Sequence, residues 1–273
     1  MKRSESEEKT THGFLDETGD TTFYGKGRRL IIGQEGVSLC FGLGIVRIDP
    51  PLNDVRQEIR ALQKQVEADP LLNTIPSVQK RIASGGFYFH ACKDSPDVRS
   101  VILHCIRDLP CELEMVMARK ISRLFEKQHH AQEEEFYGDL LSHLIKGRLK
   151  GAGTLVLNVA QRGSSTREKV LLSALELATK RAAKKWDAKS LKTRAVFNIQ
   201  NPRTDPLLTI SDYLCWAVQR VFEKGEIRYY NYLAEKIRLV VDLYDRDKYE
   251  GWRNYYDKKN PLTAENKIGP PVT

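Results

Sequence analysis

The alternation of short apolar runs with amphipathic segments is the feature that most constrains this fold. Runs rich in branched and aromatic residues favour strands, whereas apolar residues that recur every three or four positions favour helices. The strand-like runs are residues 37–48, 113–118, 155–160 and 195–199, and the helical patterns are residues 52–66, 98–109, 170–178 and 209–223. Alternation of this kind predicts an α/β domain.

Three segments lie outside that alternation. Residues 1–11 predict a solvated tail, and residues 246–273, rich in Tyr, Trp and Lys, predict a C-terminal extension. Residues 121–150 predict a helical insertion that is charged on every side between 126 and 135. A helix without an apolar face projects into solvent or binds a partner protein. The α/β domain itself is expected to span residues 12–245.

Composition narrows the cellular context. No run reaches the roughly 20 apolar residues that a membrane-spanning helix needs, and the first residues lack the apolar core of a signal peptide. The five cysteines are an odd number without a Cys-x-x-Cys pair, which argues against a disulfide framework or a structural zinc site. We therefore expect a cytoplasmic protein without a membrane partner.

The positive charge of the chain favours a polyanionic partner. Lysine and arginine number 44 against 36 acidic residues, which gives a net charge of +8. Basic residues cluster at 180–194 and, interleaved with aromatic residues, at 228–259, a pattern that suits phosphates and stacked bases. The candidate nucleic-acid-binding residues are Lys184, Lys185, Lys192, Arg194, Arg228 and Tyr230. Solvated helix faces and tyrosines packed on the core would explain the same pattern.

Two acids at the end of an early strand are the first candidates for chemistry. Asp16 and Glu17 follow Phe14-Leu15 and precede a turn at Gly19. Because successive side chains of a strand point to opposite faces, Asp16 is the first choice and Glu17 the alternate. An ordinary hairpin turn would use the same residue types, so that interpretation stays open.

Asp212 is the second acidic candidate. It falls in the first turn of the helix predicted to begin at Thr209, where the helix dipole alone stabilises an acid. Its neighbours Tyr213 and Trp216, however, predict a largely buried helix. A carboxylate in that setting is costly unless a cation or a hydrogen-bond donor compensates it.

His90 ends a predicted short strand at 87–89 and is followed by polar residues, so it is either an accessory catalytic group or a structural histidine. Other common motifs are missing from the sequence. Its glycines do not form a Gly-x-Gly-x-x-Gly or Walker pattern that would cradle phosphates. It also lacks the Gly-x-Ser-x-Gly elbow, which excludes that class of serine hydrolase.

Taken in order, these pieces resemble the domain-of-unknown-function family three-eight-zero-zero. The segment Phe14–Asp20 (FLDETGD) is similar to the Asp-Glu-Ser-Gly signature that opens the family. Phe89–Ala91 is similar to its histidine-containing strand end, and Thr209–Val218 looks like its closing helix, roughly Gln-Leu-Ala-Asp. The resemblance runs from about residue 14 to residue 223.

The resemblance implies a ribonuclease H-like fold, a mixed sheet flanked by helices, in which acids of the first strand and the last helix meet at a divalent-metal site. Matched by motif, Asp16, Glu17 and Asp212 would hold Mg²⁺ or Mn²⁺, with His90 as an accessory and Lys120 facing the same cleft. Some family members neighbour structured RNA elements or defence genes. The resemblance therefore implies a metal-dependent nuclease that prefers RNA over DNA, in a bacterial defence or toxin-type context.

The sequence also departs from the family pattern. Thr18 stands where the family has serine, Ser211 where it has alanine, and a middle strand carries Asn158 where a third carboxylate is expected. The missing acid favours a second function, a non-catalytic module that binds RNA or a protein on an inactive scaffold. The retained Asp16 and Asp212 favour the enzyme.

Overall fold

The computed structural model describes residues 10–49, 51–160, 168–201 and 203–269. This part of the chain is an α/β domain with one seven-stranded mixed sheet, which confirms the predicted class. The strands are β1 (Thr10–Gly19), β2 (Cys40–Ile48), β3 (Cys111–Arg119), β4 (Gly151–Ala160), β5 (Leu191–Gln200), β6 (Ile237–Asp242) and β7 (Tyr255–Tyr256). The α-helices are α1 (Leu52–Ala68), α2 (Pro76–Ala83), α3 (Pro96–Asp108), α4 (Ser122–His129), α5 (Glu133–Ile145), α6 (Glu168–Ala183), α7 (Leu208–Lys224) and α8 (Arg228–Leu233). Short 3-10 helices are Lys26–Arg28, Leu72–Thr74, Lys146–Leu149, Ala188–Ser190, Ala234–Lys236, Arg246–Lys248, Glu250–Trp252 and Ala264–Asn266.

The strands follow the order β5-β4-β1-β2-β3-β6-β7 across the sheet. Strand β2 is antiparallel to both of its neighbours and β7 is antiparallel to β6, while the remaining pairs are parallel. Strands β1, β3, β4, β5 and β6 therefore share one direction, and their carboxyl ends lie along one edge of the sheet. Open α/β sheets place their ligand sites at such an edge.

The two faces of the sheet carry different helices. Phe14 of β1 is fully buried in an apolar cluster with α1, α3 and α7, on what we call the α7 face. Its neighbour Leu15 is fully buried in a second cluster with α4, α5 and α6, on what we call the α5 face. This division follows from the alternation of side chains along a strand. Residues of β1 with even numbers accordingly share the α7 face.

The segment 121–150 is helical, as predicted, but it is not one helix that projects into solvent. The segment forms two helices, α4 and α5, separated by His130 and Ala131 with φ angles of 51° and 56°. Helix α5 packs against the α5 face and buries Phe136 and Leu140 there. The charged stretch therefore spans a break between two packed helices, and the projecting helix expected to bind a partner protein is not formed.

The segments predicted as tails also take part in the domain. Strand β1 begins at Thr10, so the last two residues of the expected N-terminal tail belong to the sheet, while residues 1–9 lie outside the described ranges. Beyond residue 245, β7 pairs with β6 and buries Tyr256. Ile268 N donates to Phe222 O at 2.8 Å, which ties the C-terminal extension to α7. Among the described residues, no helix combines the length and the apolar character needed to cross a membrane.

Candidate functional site

A cleft lies at the carboxyl edge of the parallel strands, between the ends of β1, β4 and β5 and the start of α7. Its volume is about 630 Å³. The lining residues are Asp16, Glu17, Thr18, Gly19, Tyr88, Phe89, His90, Cys92, Lys93, Ala160, Asn201, Arg203, Leu208, Thr209 and Asp212. Four residues singled out from the sequence, Asp16, Glu17, His90 and Asp212, thus share one cleft although they are spread over nearly 200 positions of the chain.

Helix α7 comes close to β1 because a glycine on β2 leaves room for it. Gly44 is paired with Asp16 across the two strands. A Cβ atom at Gly44 would lie only 2.4 Å from Cys215 Sγ of α7. Cys215 Sγ in turn is 3.9 Å from the Asp16 carbonyl oxygen, and Thr18 Oγ1 donates to Gln219 Oε1 at 2.5 Å. Since Asp212 is three residues before Cys215, it lies on the helix face that is turned toward β1.

Asp212 does not occupy the first turn of its helix, as the sequence predicted. Helix α7 begins at Leu208, which puts Asp212 in the second turn, and no acid occurs in the first. Stabilisation by the helix N-terminus, which is confined to the first turn, therefore does not explain this acid. Its Oδ2 instead accepts a hydrogen bond from Ala91 N at 2.8 Å and lies 3.4 Å from His90 Nδ1.

The segment that presents His90 is held by buried polar contacts rather than by a sheet. The predicted strand at 87–89 is wrong, because these residues are not part of any strand. Asp94 accepts a hydrogen bond from His90 N at 2.8 Å and forms an ion pair with Arg81 at 2.5 Å. It also accepts a hydrogen bond from the hydroxyl group of Tyr213 in α7. Burial raises the pKa of Asp94, although these partners oppose the effect. Asp94 thereby joins the His90 segment to α7.

The charges of both acids affect the buried thiol of Cys215. Burial raises the pKa of Cys215 well above its usual value, and the negative charges of Asp16 and Asp212 raise it further. Both carboxylates are therefore close enough to the same sulfur for their charges to be felt. Asp16 reaches the cleft from β1, and Asp212 reaches it from α7.

Glu17 has a different position from Asp16. Glu17 pairs with Leu43 of β2, which is buried on the α5 face, so alternation along β1 directs Glu17 away from the α7 face. It nevertheless lines the cleft from the end of the strand. Asp16 and Asp212 are thus the pair on the α7 face, and Glu17 is a third carboxylate beside it.

The cleft also contains two cationic side chains that the sequence interpretation missed. Lys93 follows the His90 segment, and Arg203 lies between β5 and α7, where its guanidinium is 5.2 Å from the Tyr88 ring centroid and donates to Ser84 O at 2.9 Å. The only signal in the sequence is that Arg203 follows the carboxyl end of a strand. Acids and cations side by side suit a ligand that carries phosphate, since phosphate binds both divalent ions and basic groups.

Lys120 is not among the residues that line this cleft. Its ammonium group is buried, forms an ion pair with Asp20 at 2.7 Å and donates to Thr22 O at 3.0 Å. It lies over the ring of Phe23, a residue of the cluster on the α5 face. The partner that engages Lys120 is 100 residues away in sequence, which is why the sequence pattern did not reveal it.

The predicted nucleic-acid-binding residues separate into three groups. The prediction that Tyr230 binds nucleic acid at the surface is wrong, because Tyr230 is buried and its hydroxyl accepts a hydrogen bond from Leu262 N at 3.2 Å. Arg228 is exposed and stacks on Tyr229 at 4.5 Å. The remaining four are exposed and form two pairs, Lys184 and Lys185 just after α6 on the α5 face, and Lys192 and Arg194 on β5.

Asp16 and Asp212 are the residues that fit a divalent cation. Their oxygens are the hard ligands that Mg²⁺ and Mn²⁺ prefer, and Mg²⁺ is commonly held by one or two carboxylates together with water and substrate phosphates. Within the described ranges, no three His, Cys, Asp or Glu side chains are grouped closely enough to form a complete protein cage. A site here would therefore depend on water and substrate for its other ligands.

Comparison with known proteins identifies no relative of this chain. No family model, no curated protein and no solved structure matches the chain.

Proposed function

We propose that this protein is a divalent-metal-dependent nuclease that hydrolyses a phosphodiester bond in RNA. The observation that carries the proposal is the meeting of Asp16 and Asp212, from the first strand and a late helix, in one cleft that also contains Lys93 and Arg203. Carboxylates alone would repel a nucleic acid. Together with a divalent ion and two cations, they form a site with the charge that a phosphodiester requires.

The strand order supports a ribonuclease H-like scaffold. The first five strands are arranged as β5-β4-β1-β2-β3, with β2 antiparallel to the other four. This is the arrangement expected of a ribonuclease H-like sheet, and it puts the end of β1 at the centre of the five strands. Strands β6 and β7 extend the sheet beyond β3. The resemblance to family three-eight-zero-zero supports the same scaffold and favours RNA and a bacterial defence or toxin-type role.

In the proposed reaction, Asp16 and Asp212 would hold a divalent ion. Such an ion, when bound, would supply a nucleophile from water and stabilise charge on the phosphate. Lys93 and Arg203 bind the non-bridging phosphate oxygens and orient the scissile bond. Ala91 N, which donates to Asp212 Oδ2 at 2.8 Å, fixes the position of this carboxylate. His90, whose Nδ1 is 3.4 Å from the same oxygen, lines the cleft and is near enough to it to accept or donate a proton.

The test is cleavage of a panel of RNA, DNA and hybrid substrates with Mg²⁺ or Mn²⁺. We expect cleavage of RNA by the unaltered protein, and a loss of about 10³-fold or more in Asp16→Asn and in Asp212→Asn, because ligation needs ionised oxygens. Asp54→Asn is the matched control, since Asp54 is exposed in the first turn of α1. Folding should be retained in all three variants, as measured by circular dichroism.

A second function is favoured by one observation, the replacement of a middle-strand acid by Asn158. This residue is buried, donates to Gly13 O at 3.3 Å and does not line the cleft, where Ala160 lies instead. The alternative is a module that binds RNA or a protein without turnover. If the purified protein binds RNA but cleaves no substrate of the panel with either metal, this alternative replaces the nuclease.

A further inference from the structure

Among the described residues, no helix covers the part of the α7 face that lies toward β5. Helix α7 lies over β1 and β2, where Cys215 contacts Asp16 and Gln219 contacts Thr18. On β5, at the edge of the sheet, 37% of the surface of Val196 is exposed. On this side β4 and β1 also present partly or fully exposed residues. We call the open strip the β5 platform; its residues are His12, Thr154, Val156, Lys192, Arg194, Val196 and Asn198.

The β5 platform is positively charged. Lys192 and Arg194 are both exposed on β5, in register with Ala152 and Thr154 of β4. Strands β4 and β5 contain no aspartate or glutamate, and β1 contains none before Asp16. A polyanion lying on these strands would therefore meet cations first and carboxylates only at the cleft.

Amide side chains connect the β5 platform to the cleft. Asn198 Nδ2 donates to Asn158 Oδ1 at 2.9 Å, and Gln200 Nε2 donates to the same oxygen at 3.4 Å. Gln200 Oε1 is buried and has no hydrogen-bond partner among the described residues. The next residue, Asn201, lines the cleft. Amides of this kind can bind the hydroxyl groups of sugars or the edges of bases.

The dimensions of the β5 platform suit one strand of nucleic acid. Arg194 precedes Gln200 by six residues of extended chain, roughly 20 Å at 3.3 Å per residue. The three strands β5, β4 and β1 span about 10 Å across, at about 4.8 Å between neighbours. Val156 and Val196 add an apolar centre on which sugars and bases can lie.

We propose that the β5 platform is the binding track for a single strand of nucleic acid that leads into the cleft, with its phosphates on Lys192 and Arg194. The proposal rests on the proposed function, because the cleft is taken as the place of cleavage. It assigns to Lys192 and Arg194 the binding of the substrate beyond the scissile bond. Lys184 and Lys185, which follow α6 on the α5 face, are not part of this track.

The experiment measures the affinity of a labelled single-stranded RNA of about 12 nucleotides, in the Asp212→Asn background so that the probe stays intact. The test variant is Lys192→Glu with Arg194→Glu. The matched control is Lys127→Glu with Arg123→Glu, which reverses one lysine and one exposed arginine of α4 on the α5 face. We expect the test variant to bind about tenfold or more weakly, and the slope of log affinity against log salt to fall by about 1.4, two contacts at about 0.7 each.

Several outcomes would overturn the track. Equal losses in the test and control variants would mean that net charge, not the β5 platform, determines affinity. Tighter binding of a duplex of the same sequence than of the single strand would contradict the single-strand assignment. If the charge reversals unfold the protein, Lys192→Gln with Arg194→Gln should still weaken binding at least about twofold, and an unchanged affinity in that variant would overturn the track. No binding of any RNA or DNA by the Asp212→Asn protein or the unaltered protein would refute the proposed function itself, whereas binding that ignores Lys192 and Arg194 refutes only the track.

Discussion

Two aspartates on opposite faces of the sheet are similar in burial and differ in their partners. Asp212 on the α7 face has 22% of its side chain exposed, and Asp139 of α5 on the α5 face has 14%. Each lies beside a histidine, His90 for the first and His129 for the second, at 3.4 Å. Burial and a neighbouring histidine therefore do not distinguish the two acids.

The difference is in the rest of each environment. Asp139 forms an ion pair with Arg181 and accepts a hydrogen bond from the Tyr244 hydroxyl group at 2.6 Å. Burial alone would raise the pKa of Asp139, but hydrogen bonds from His129, Tyr244 and Arg181 lower it below its usual value. For Asp212, within the described ranges, no lysine or arginine nitrogen is within 4 Å, and a second acid, Asp16, shares its cleft.

The comparison separates a structural acid from a candidate functional one. Asp139 is balanced by a cation from its own fold, so its charge is compensated before any ligand arrives. Asp212 shares a cleft with the carboxylate of Asp16, and two carboxylates in one cleft can act as common ligands of a divalent cation. Two acids together with Lys93 and Arg203 in one cleft make Asp212 the candidate functional acid of the two.

The largest expected effect on stability is at Asp139. Asp139→Asn should lower the free energy of unfolding by about 3 kcal/mol, because it leaves Arg181 and its neighbours without their charge partner. Asp212→Asn, at similar burial, should leave it within about 0.5 kcal/mol, because the amide oxygen of asparagine can still accept the hydrogen bond from Ala91 N and no lysine or arginine of the described residues loses an ion pair. Urea unfolding of both variants at neutral pH gives the measurement.

The pH dependence provides the control for this difference. Because the fold lowers the pKa of Asp139, the unfolded chain binds the proton more readily, and the stabilisation is present above the ordinary pKa of about 3.9. It is lost as the pH falls below that value, so the gap between the unaltered protein and Asp139→Asn should shrink there. A gap that is equally large at pH 3 and pH 7, or an equally damaging Asp212→Asn, would break the comparison.

A smaller effect is expected at the contact that brings α7 to β1. Gly44→Ala would put a Cβ 2.4 Å from Cys215 Sγ and 2.8 Å from Leu113 Cδ1, which should cost about 1–3 kcal/mol. Since the strain moves α7 relative to Asp16, cleavage should fall more than stability does. Stability by thermal unfolding and cleavage rate are measured together.

Two further variants sharpen this prediction. Gly138→Ala on α5 is the matched control, because a Cβ there meets nothing within 4 Å, and it should leave stability and cleavage unchanged or improve stability slightly. Cys215→Ala combined with Gly44→Ala removes the closest clashing atom and should restore part of both properties. If Gly44→Ala alone has no effect on cleavage, close packing of α7 on β1 is not what positions the acids.

The sequence predicted correctly those features of the fold that depend on the pattern of neighbouring residues. The alternation predicted the α/β class, and the position of Phe14-Leu15-Asp16-Glu17 at a strand end was readable because side chains alternate along a strand. The apolar spacing also predicted α7 to within one residue at each end. The early start of α7 at Leu208, however, moved Asp212 into the second turn and removed the ordinary explanation for it.

The sequence predictions failed at residues whose surroundings are formed by parts of the chain that are distant in sequence. Lys120 looks available in sequence, but Asp20 engages it from 100 residues away. Tyr230 belongs to a basic and aromatic stretch that suggests a binding surface, yet it is buried under the C-terminal extension near Leu262. Lys93 and Arg203 reach the cleft only in the folded chain, and the one sequence signal is that Arg203 follows the carboxyl end of a strand.

The most direct test of the account is a calorimetric titration of Mn²⁺ into the unaltered protein, Asp16→Asn, Asp212→Asn and the double variant. If the two acids hold one ion, each single variant should weaken binding by at least about tenfold, and the double variant should be little worse than either single one. Asp54→Asn should bind Mn²⁺ as the unaltered protein does. Retention of the original affinity in both Asp16→Asn and Asp212→Asn would contradict a shared metal site.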